Sequence, residues 1–94
     1  MTTLQTLTKQ SYEERIFQFD FSGKMDADAT LASVVSVLSD GSGLTISATS
    51  VSSTFVQAMF SGGNSGTTYK ITAKAIDSSG QKLEMDGYLR VQDV

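Results

Sequence analysis

Gly66-Thr67-Thr68-Tyr69-Lys70-Ile71-Thr72-Ala73-Lys74-Ala75 and, beyond Asp77-Ser78-Ser79-Gly80, Lys82-Leu83-Glu84-Met85-Asp86-Gly87-Tyr88-Leu89-Arg90-Val91 decide the fold. In the first run Tyr69, Ile71, Ala73 and Ala75 alternate with Lys70, Thr72 and Lys74. In the second, Leu83, Met85, Leu89 and Val91 alternate with Lys82, Glu84, Asp86 and Arg90. Successive side chains of a strand point to opposite faces, so each run has one dry and one wet face, as in an antiparallel hairpin. The apolar positions are odd-numbered in both runs, and their dry faces coincide only if paired residues share parity. A three-residue loop, Ser78-Ser79-Gly80, satisfies this, with Gly80 as its left-handed residue. The register then sets Lys74 opposite Glu84, Ala73 opposite Met85 and Ile71 opposite Gly87.

Upstream, short apolar runs again alternate with turn clusters. Leu44, Ile46 and Ala48 are expected to face inward, with Thr45, Ser47 and Thr49 outward. The segment Thr54-Phe55-Val56-Gln57-Ala58-Met59-Phe60 ends at Ser61-Gly62-Gly63-Asn64-Ser65-Gly66, a chain break. Residues 30–38 (TLASVVSVL) form a nearly continuous apolar run, as in a strand buried on both faces or carrying a bulge. Phe17, Phe19 and Phe21 share one face of a strand starting at Arg15 and read as core rather than as a stacking platform. No segment carries a convincing helical stripe. Six or seven strands in so short a chain predict an all-β, two-sheet sandwich. Gly66 to Ala75 resembles the penultimate strand of immunoglobulin-like and fibronectin type III domains. That resemblance implies an immunoglobulin/fibronectin III-like antiparallel β-sandwich of about seven strands, with Tyr69 as a structural residue whose hydroxyl bonds to upstream backbone. Gly66 and Gly80 are the turn glycines on either side of that strand.

The 94 residues suffice for one domain and one core. There is no cysteine and no histidine, which removes disulfides, the usual zinc ligands and the commonest general base. Serine and threonine hydroxyls abound, but no histidine can activate one, so no catalytic site is expected. Asp26-Ala27-Asp28 near Asp20 matches no calcium loop and reads as a solvated acidic turn. The glycine-rich loops 40–43 and 62–66 lack a P-loop lysine and open no helix, so no nucleotide and no cofactor is expected. Net charge is −3, with both signs read as scattered along the chain and no basic run for nucleic acid. No apolar stretch is long enough to span a membrane as a helix. MTTLQTLTKQ lacks the features of a signal peptide, so synthesis in the cytoplasm is expected.

The last third, SGGNSGTTYKITAKAIDSSGQKLEMDGYLRVQDV, resembles the end of a family of small tailed-bacteriophage virion proteins described as fiber-tail adaptors. It shares a serine-glycine-glycine turn, a glycine-threonine-x-tyrosine strand, a serine-glycine-glutamine turn and a closing leucine-arginine-valine strand. Lys9, Glu13, Asp20, Phe21, Ser22, Asp28, Thr30 and Leu31 correspond more loosely. Ser11 stands where the family often has proline, and Ala29 separates Asp28 from Thr30.

The resemblance implies a non-enzymatic structural protein of the virion, a tail or neck adaptor linking tail and fibers through protein–protein contacts. Alternatives are a head decoration protein that stabilises the capsid and a carbohydrate-binding or spacer module. The implied partners are other virion proteins (tail, neck, fiber or capsid), with the chain present in several copies of a symmetric assembly. Residues 1–14 lack the sandwich pattern and are expected to form an N-terminal arm, with residues 15–94 as the sandwich domain. Leu4, Leu7 and Tyr12 are the arm's candidate partner-binding residues, able to seat in a neighbour's grooves or add to its sheet edge. The competing expectation is that the arm folds back over its own sandwich.

Overall fold

The computed structural model describes residues 6–26 and 28–94. They form seven strands: β1 (Thr6–Lys9), β2 (Arg15–Asp20), β3 (Leu31–Ser39), β4 (Leu44–Ser52), β5 (Phe55–Gly62), β6 (Thr67–Asp77) and β7 (Lys82–Val91). A single 3-10 turn, Ser22–Lys24, is the one helical element among the described residues. The strands make two sheets, in the orders β1-β7-β6-β3 and β2-β5-β4. Their inner faces share one core, to which the three-stranded sheet gives Phe19, Val56, Ala58 and Phe60 and the four-stranded sheet Tyr69, Ile71, Ala73, Leu89 and Val91. Phe19 and Phe21 are buried, and Phe17 lies 5.7 Å from Phe60, so the phenylalanine stripe belongs to this core.

β6 and β7 carry the register expected from parity: Lys74 opposite Glu84, Ala73 opposite Met85 and Ile71 opposite Gly87. The Asp77 N–H donates to the Gln81 carbonyl at 3.0 Å, closing a loop in which Gly80 has φ +88°. Asp77 itself organises that loop. Its Oδ1 accepts from the Gln81 N–H at 2.8 Å, the Ser79 hydroxyl at 2.9 Å and the Ser79 N–H at 3.0 Å. Burial works against ionisation, but these bonds and the Gly80 N–H prevail and hold the carboxyl below its usual range.

Main-chain geometry decides three elements that the sequence left open or placed otherwise. β3 takes the second of its two expected forms, a strand carrying bulges. Register shifts at Leu31/Ser33 and Val34/Ser36 leave Ala32 and Val35 as extra residues, so the inward positions are Leu31, Val34 and Val37, every third residue. Val35 and Leu38, left over from the apolar run, are 58 % and 63 % exposed. In β4, Ala48 is exposed rather than inward. It sits with Thr49 in a bulge opposite Ala58, with φ +52°, and the inward positions switch from Leu44 and Ile46 to Val51.

The third is the arm: Thr6–Lys9 follows the competing expectation and lies on its own sandwich, pairing in parallel with Tyr88–Val91 as the edge of the four-stranded sheet. Its anchor is polar and so was invisible to an apolar pattern. Lys9 is buried, its ammonium donates to the carbonyls of Gln10 and Glu13 at 2.8 Å each, and the Gln92 N–H donates to the Lys9 carbonyl. Burial lowers the Lys9 pKa, with Glu13 and Asp93 opposing. Ser11 donates both its N–H and its hydroxyl to Asp93, fastening the β1–β2 turn to the segment after β7.

Two measurements test this geometry. A left-handed alanine costs roughly 1–2 kcal/mol, against about 0.5–1 kcal/mol of extra unfolded-state freedom for glycine. Ala48→Gly is therefore expected to leave stability to urea unchanged or raise it by up to about 1 kcal/mol, and a clear loss would contradict the bulge. Asp77 has a lowered native pKa, so its stabilisation is present above the unfolded aspartate value and lost as pH falls through the native value. The advantage of wild type over Asp77→Ala, measured by denaturation, is thus expected to be full near pH 7 and to shrink below about pH 4.

Candidate protein-interaction surface

At one end of the sandwich, loops 40–43 and 63–66 close over Tyr69. The Tyr69 side chain is buried, its hydroxyl donates to the Ser42 carbonyl at 2.9 Å, and the Asn64 N–H donates to that hydroxyl at 2.9 Å. Both partners are upstream backbone groups, one from each loop. Asp40 fastens the first loop to β6 a second time, its carboxylate accepting from the Lys70 N–H and its own N–H donating to the Lys70 carbonyl. The Gly63 N–H donates to the Gly43 carbonyl, and Gly66 donates to Val91. A β-carbon at Gly41 would lie 2.9 Å from the Tyr69 ring, so the glycine-rich sequence makes room for the tyrosine rather than for a phosphate. Tyr69 thus bonds to both loops, while Gly66 (φ +89°) and Gly80 (φ +88°) occupy the turns on either side of β6.

The candidate partner residues of the arm divide. Leu4 lies outside the described residues. Leu7 is half-buried, sits opposite Leu89 and packs against the chain's own core, so it is not free to seat in a neighbour. Tyr12, in the turn between β1 and β2, is 95 % exposed. Among the described residues no group of three or more aspartates or glutamates is placed to hold a metal ion.

The surface separates by charge in a way the sequence reading overlooked. From Ala29 to Tyr69 the chain carries one charged residue, Asp40, while the remaining segments carry the other sixteen. Folding turns that linear bias into a spatial one. The outer face of the four-stranded sheet carries Lys70, Lys74, Lys82, Glu84, Asp86 and Arg90 on β6 and β7, where Lys70 approaches Asp86 to 3.7 Å and the Thr72 hydroxyl donates to Asp86. β3, β4 and β5 carry no charge at all. They supply the edges β3 and β4, which contact each other across the sheets, and most of the outer face of the three-stranded sheet. On that face Met59 lies opposite Ile16 and Ser47, Gln57 opposite Gln18 and Ser50, and Phe55 opposite Asp20 and Ser52. The Asp20 carboxylate is occupied by the Ser22 N–H and the Thr54 hydroxyl. The N–H of Ser22, then burial and further hydrogen bonds, set its pKa, and the net direction is downward.

On the three-stranded sheet this uncharged band has the composition of a contact surface, whereas Val35 and Leu38 of β3 are exposed on the outer face of the four-stranded sheet, Val35 in a groove with Lys74, Lys82 and Glu84 and Leu38 in one with Lys70, Lys74 and Glu84. Interface centres are depleted in Lys, Glu and Asp because desolvating an unpaired charge is costly. The signal was present in the sequence as a 41-residue stretch with a single charge, and only the β3 bulges decide which of its apolar residues reach the surface.

Tyr69→Phe is expected to cost about 1–3 kcal/mol in denaturant unfolding, because it leaves the Ser42 carbonyl and the Asn64 N–H without their partner. Tyr69→Ala is expected to cost about 3–5 kcal/mol. An unchanged stability for the phenylalanine variant would remove the hydroxyl from this account.

Comparison with known families bears on the whole of this architecture. No individual curated protein matches the sequence. A family model described as podophage GP4 fiber-tail adaptor protein gp77 matches residues 9–90. The match runs from the buried Lys9 to Arg90 in β7 and so takes in both sheets, the Tyr69 joint and the uncharged band. The chain belongs to the podophage GP4 fiber-tail adaptor protein family.

Proposed function

We propose that this chain is a non-enzymatic joint of a podophage particle, an adaptor between tail and fibers that holds other virion proteins by direct protein contact. The observation that carries the reading is the uncharged outer face of β4 and β5, where Met59 lies opposite the exposed Ile16. A charge on that face would have to be desolvated on contact, and neither strand carries one. A structural joint gains a surface that desolvates cheaply. Tyr12, exposed at the tip of the β1–β2 turn, offers a second, smaller contact. The Tyr69 hydroxyl bound to upstream backbone supports an immunoglobulin-like or fibronectin-like assignment of the sandwich. Such a scaffold presents rigid sheet faces and edges rather than a deep pocket, which suits a joint.

Ser47 and Ser50 are exposed on that face, so Ser47→Glu combined with Ser50→Lys is expected to shift stability by no more than about 1 kcal/mol. The double variant is expected to be lost from assembled particles when it replaces wild type during phage growth. Lys82→Glu, on the charged face, is expected to incorporate normally. Normal incorporation of the double variant would contradict the band as the contact surface.

A further inference from the structure

Residues 10–14 carry the chain from β1 in one sheet to β2 in the other, and they are held more firmly than a connection needs. The Lys9 ammonium donates to the carbonyls of Gln10 and Glu13 at 2.8 Å each. The Glu13 N–H donates to the Gln10 carbonyl at 3.1 Å, and the Gln10 N–H to the Glu13 carboxylate at 2.8 Å. These bonds lie within residues 9–13 and tie neither strand to its sheet, so what they fix is the shape of the turn. Burying an ammonium is costly unless it is hydrogen-bonded, and here the turn's own carbonyls offset that cost. From outside, the Ser11 N–H and hydroxyl clamp the turn to Asp93.

The bracing leaves one side chain out. Gln10, Ser11 and Glu13 are engaged and half-buried, while Tyr12 in their midst is 95 % exposed. A tyrosine turns about only two side-chain bonds, and on a backbone already fixed it loses little further freedom when a partner binds. Tyrosine is accordingly enriched among the residues that dominate binding energy at interfaces. The surface around it is acidic. Arg15 approaches Glu13 at 3.7 Å and Lys9 is buried, which leaves the exposed Glu14 and Asp93 in surplus.

We propose that the β1–β2 turn is a preformed plug. Tyr12 seats its ring in an apolar-walled pocket of a neighbouring virion protein, and a lysine or arginine at the pocket's rim meets Glu14. The bonds of Lys9, Glu13 and Asp93 position the ring before the partner arrives. The plug rests on the reading of the chain as an adaptor and specifies its smaller contact; it does not depend on the β4–β5 outer face.

The test is complementation of a phage lacking its own copy of this protein, with each variant first checked for a cooperative melt and then counted per purified particle. Tyr12→Ala is expected to melt as wild type and to fall about tenfold or more in incorporation, with Tyr12→Phe in between. Tyr88→Ala, which removes an exposed tyrosine from the charged face, is expected to incorporate normally. Glu14→Lys is expected to reduce incorporation, and Glu14→Gln to reduce it less. Asp93→Ala is expected to reduce incorporation several-fold in the wild-type background and to add no loss to Tyr12→Ala, because it acts through the tyrosine.

Normal incorporation of Tyr12→Ala overturns the plug, whatever the variant combining Ser47→Glu and Ser50→Lys does. Loss of Tyr12→Ala with retention of that double variant upholds the plug and removes the β4–β5 face instead. Normal incorporation of Glu14→Lys overturns the basic rim. Equal losses from Asp93→Ala in both backgrounds overturn the positioning role.

Discussion

The β6–β7 ladder is the constraint from which the rest of the molecule follows. Ten successive residue pairs, from Thr67–Val91 to Ile76–Lys82, hold two long strands in one register. Because parity is shared across the ladder, one face is forced dry and the other wet, and a slip of one residue would exchange them. The dry face supplies Tyr69, Ile71, Ala73, Met85, Leu89 and Val91 to the core. It also sets where the Tyr69 hydroxyl emerges, between two loops whose backbone groups it joins. Those loops lead into β4 and out of β5, so the second sheet is positioned over the first partly through one side chain.

The ladder was legible in the sequence because it obeys the simplest rule, alternation without interruption. β3 and β4 were legible as strands but not face by face. Bulges break the period of two, and nothing in the letters of TLASVVSVL or of Leu44–Ser52 marks which residue is the extra one. β1 was missed for a different reason. Its attachment rests on main-chain pairing and on a lysine whose ammonium is satisfied by two carbonyls, an arrangement with no apolar signature.

The candidate surface was legible in principle and was overlooked, since a net charge of −3 spread over seventeen charged residues suggests an even distribution. The distribution is uneven in sequence, and the topology keeps it uneven in space by placing β4 and β5 in one sheet and the charged β6 and β7 in the other. The charged outer face of β6 and β7 resists burial against another protein, since each lysine or carboxylate there would need a partner or lose its hydration. The uncharged side carries no such cost, and its serines and threonines accept or donate hydrogen bonds in either environment. An adaptor built this way separates the surface that keeps it in solution from the surface that assembles.

That separation is tested most directly by the density of this protein within intact virions at side-chain resolution by cryo-electron microscopy. The account predicts that Ser47, Ser50 and Met59 are buried against a neighbouring virion protein while Lys74, Lys82 and Glu84 remain hydrated. A particle in which the β6–β7 outer face is buried and the β4–β5 outer face meets solvent would contradict it.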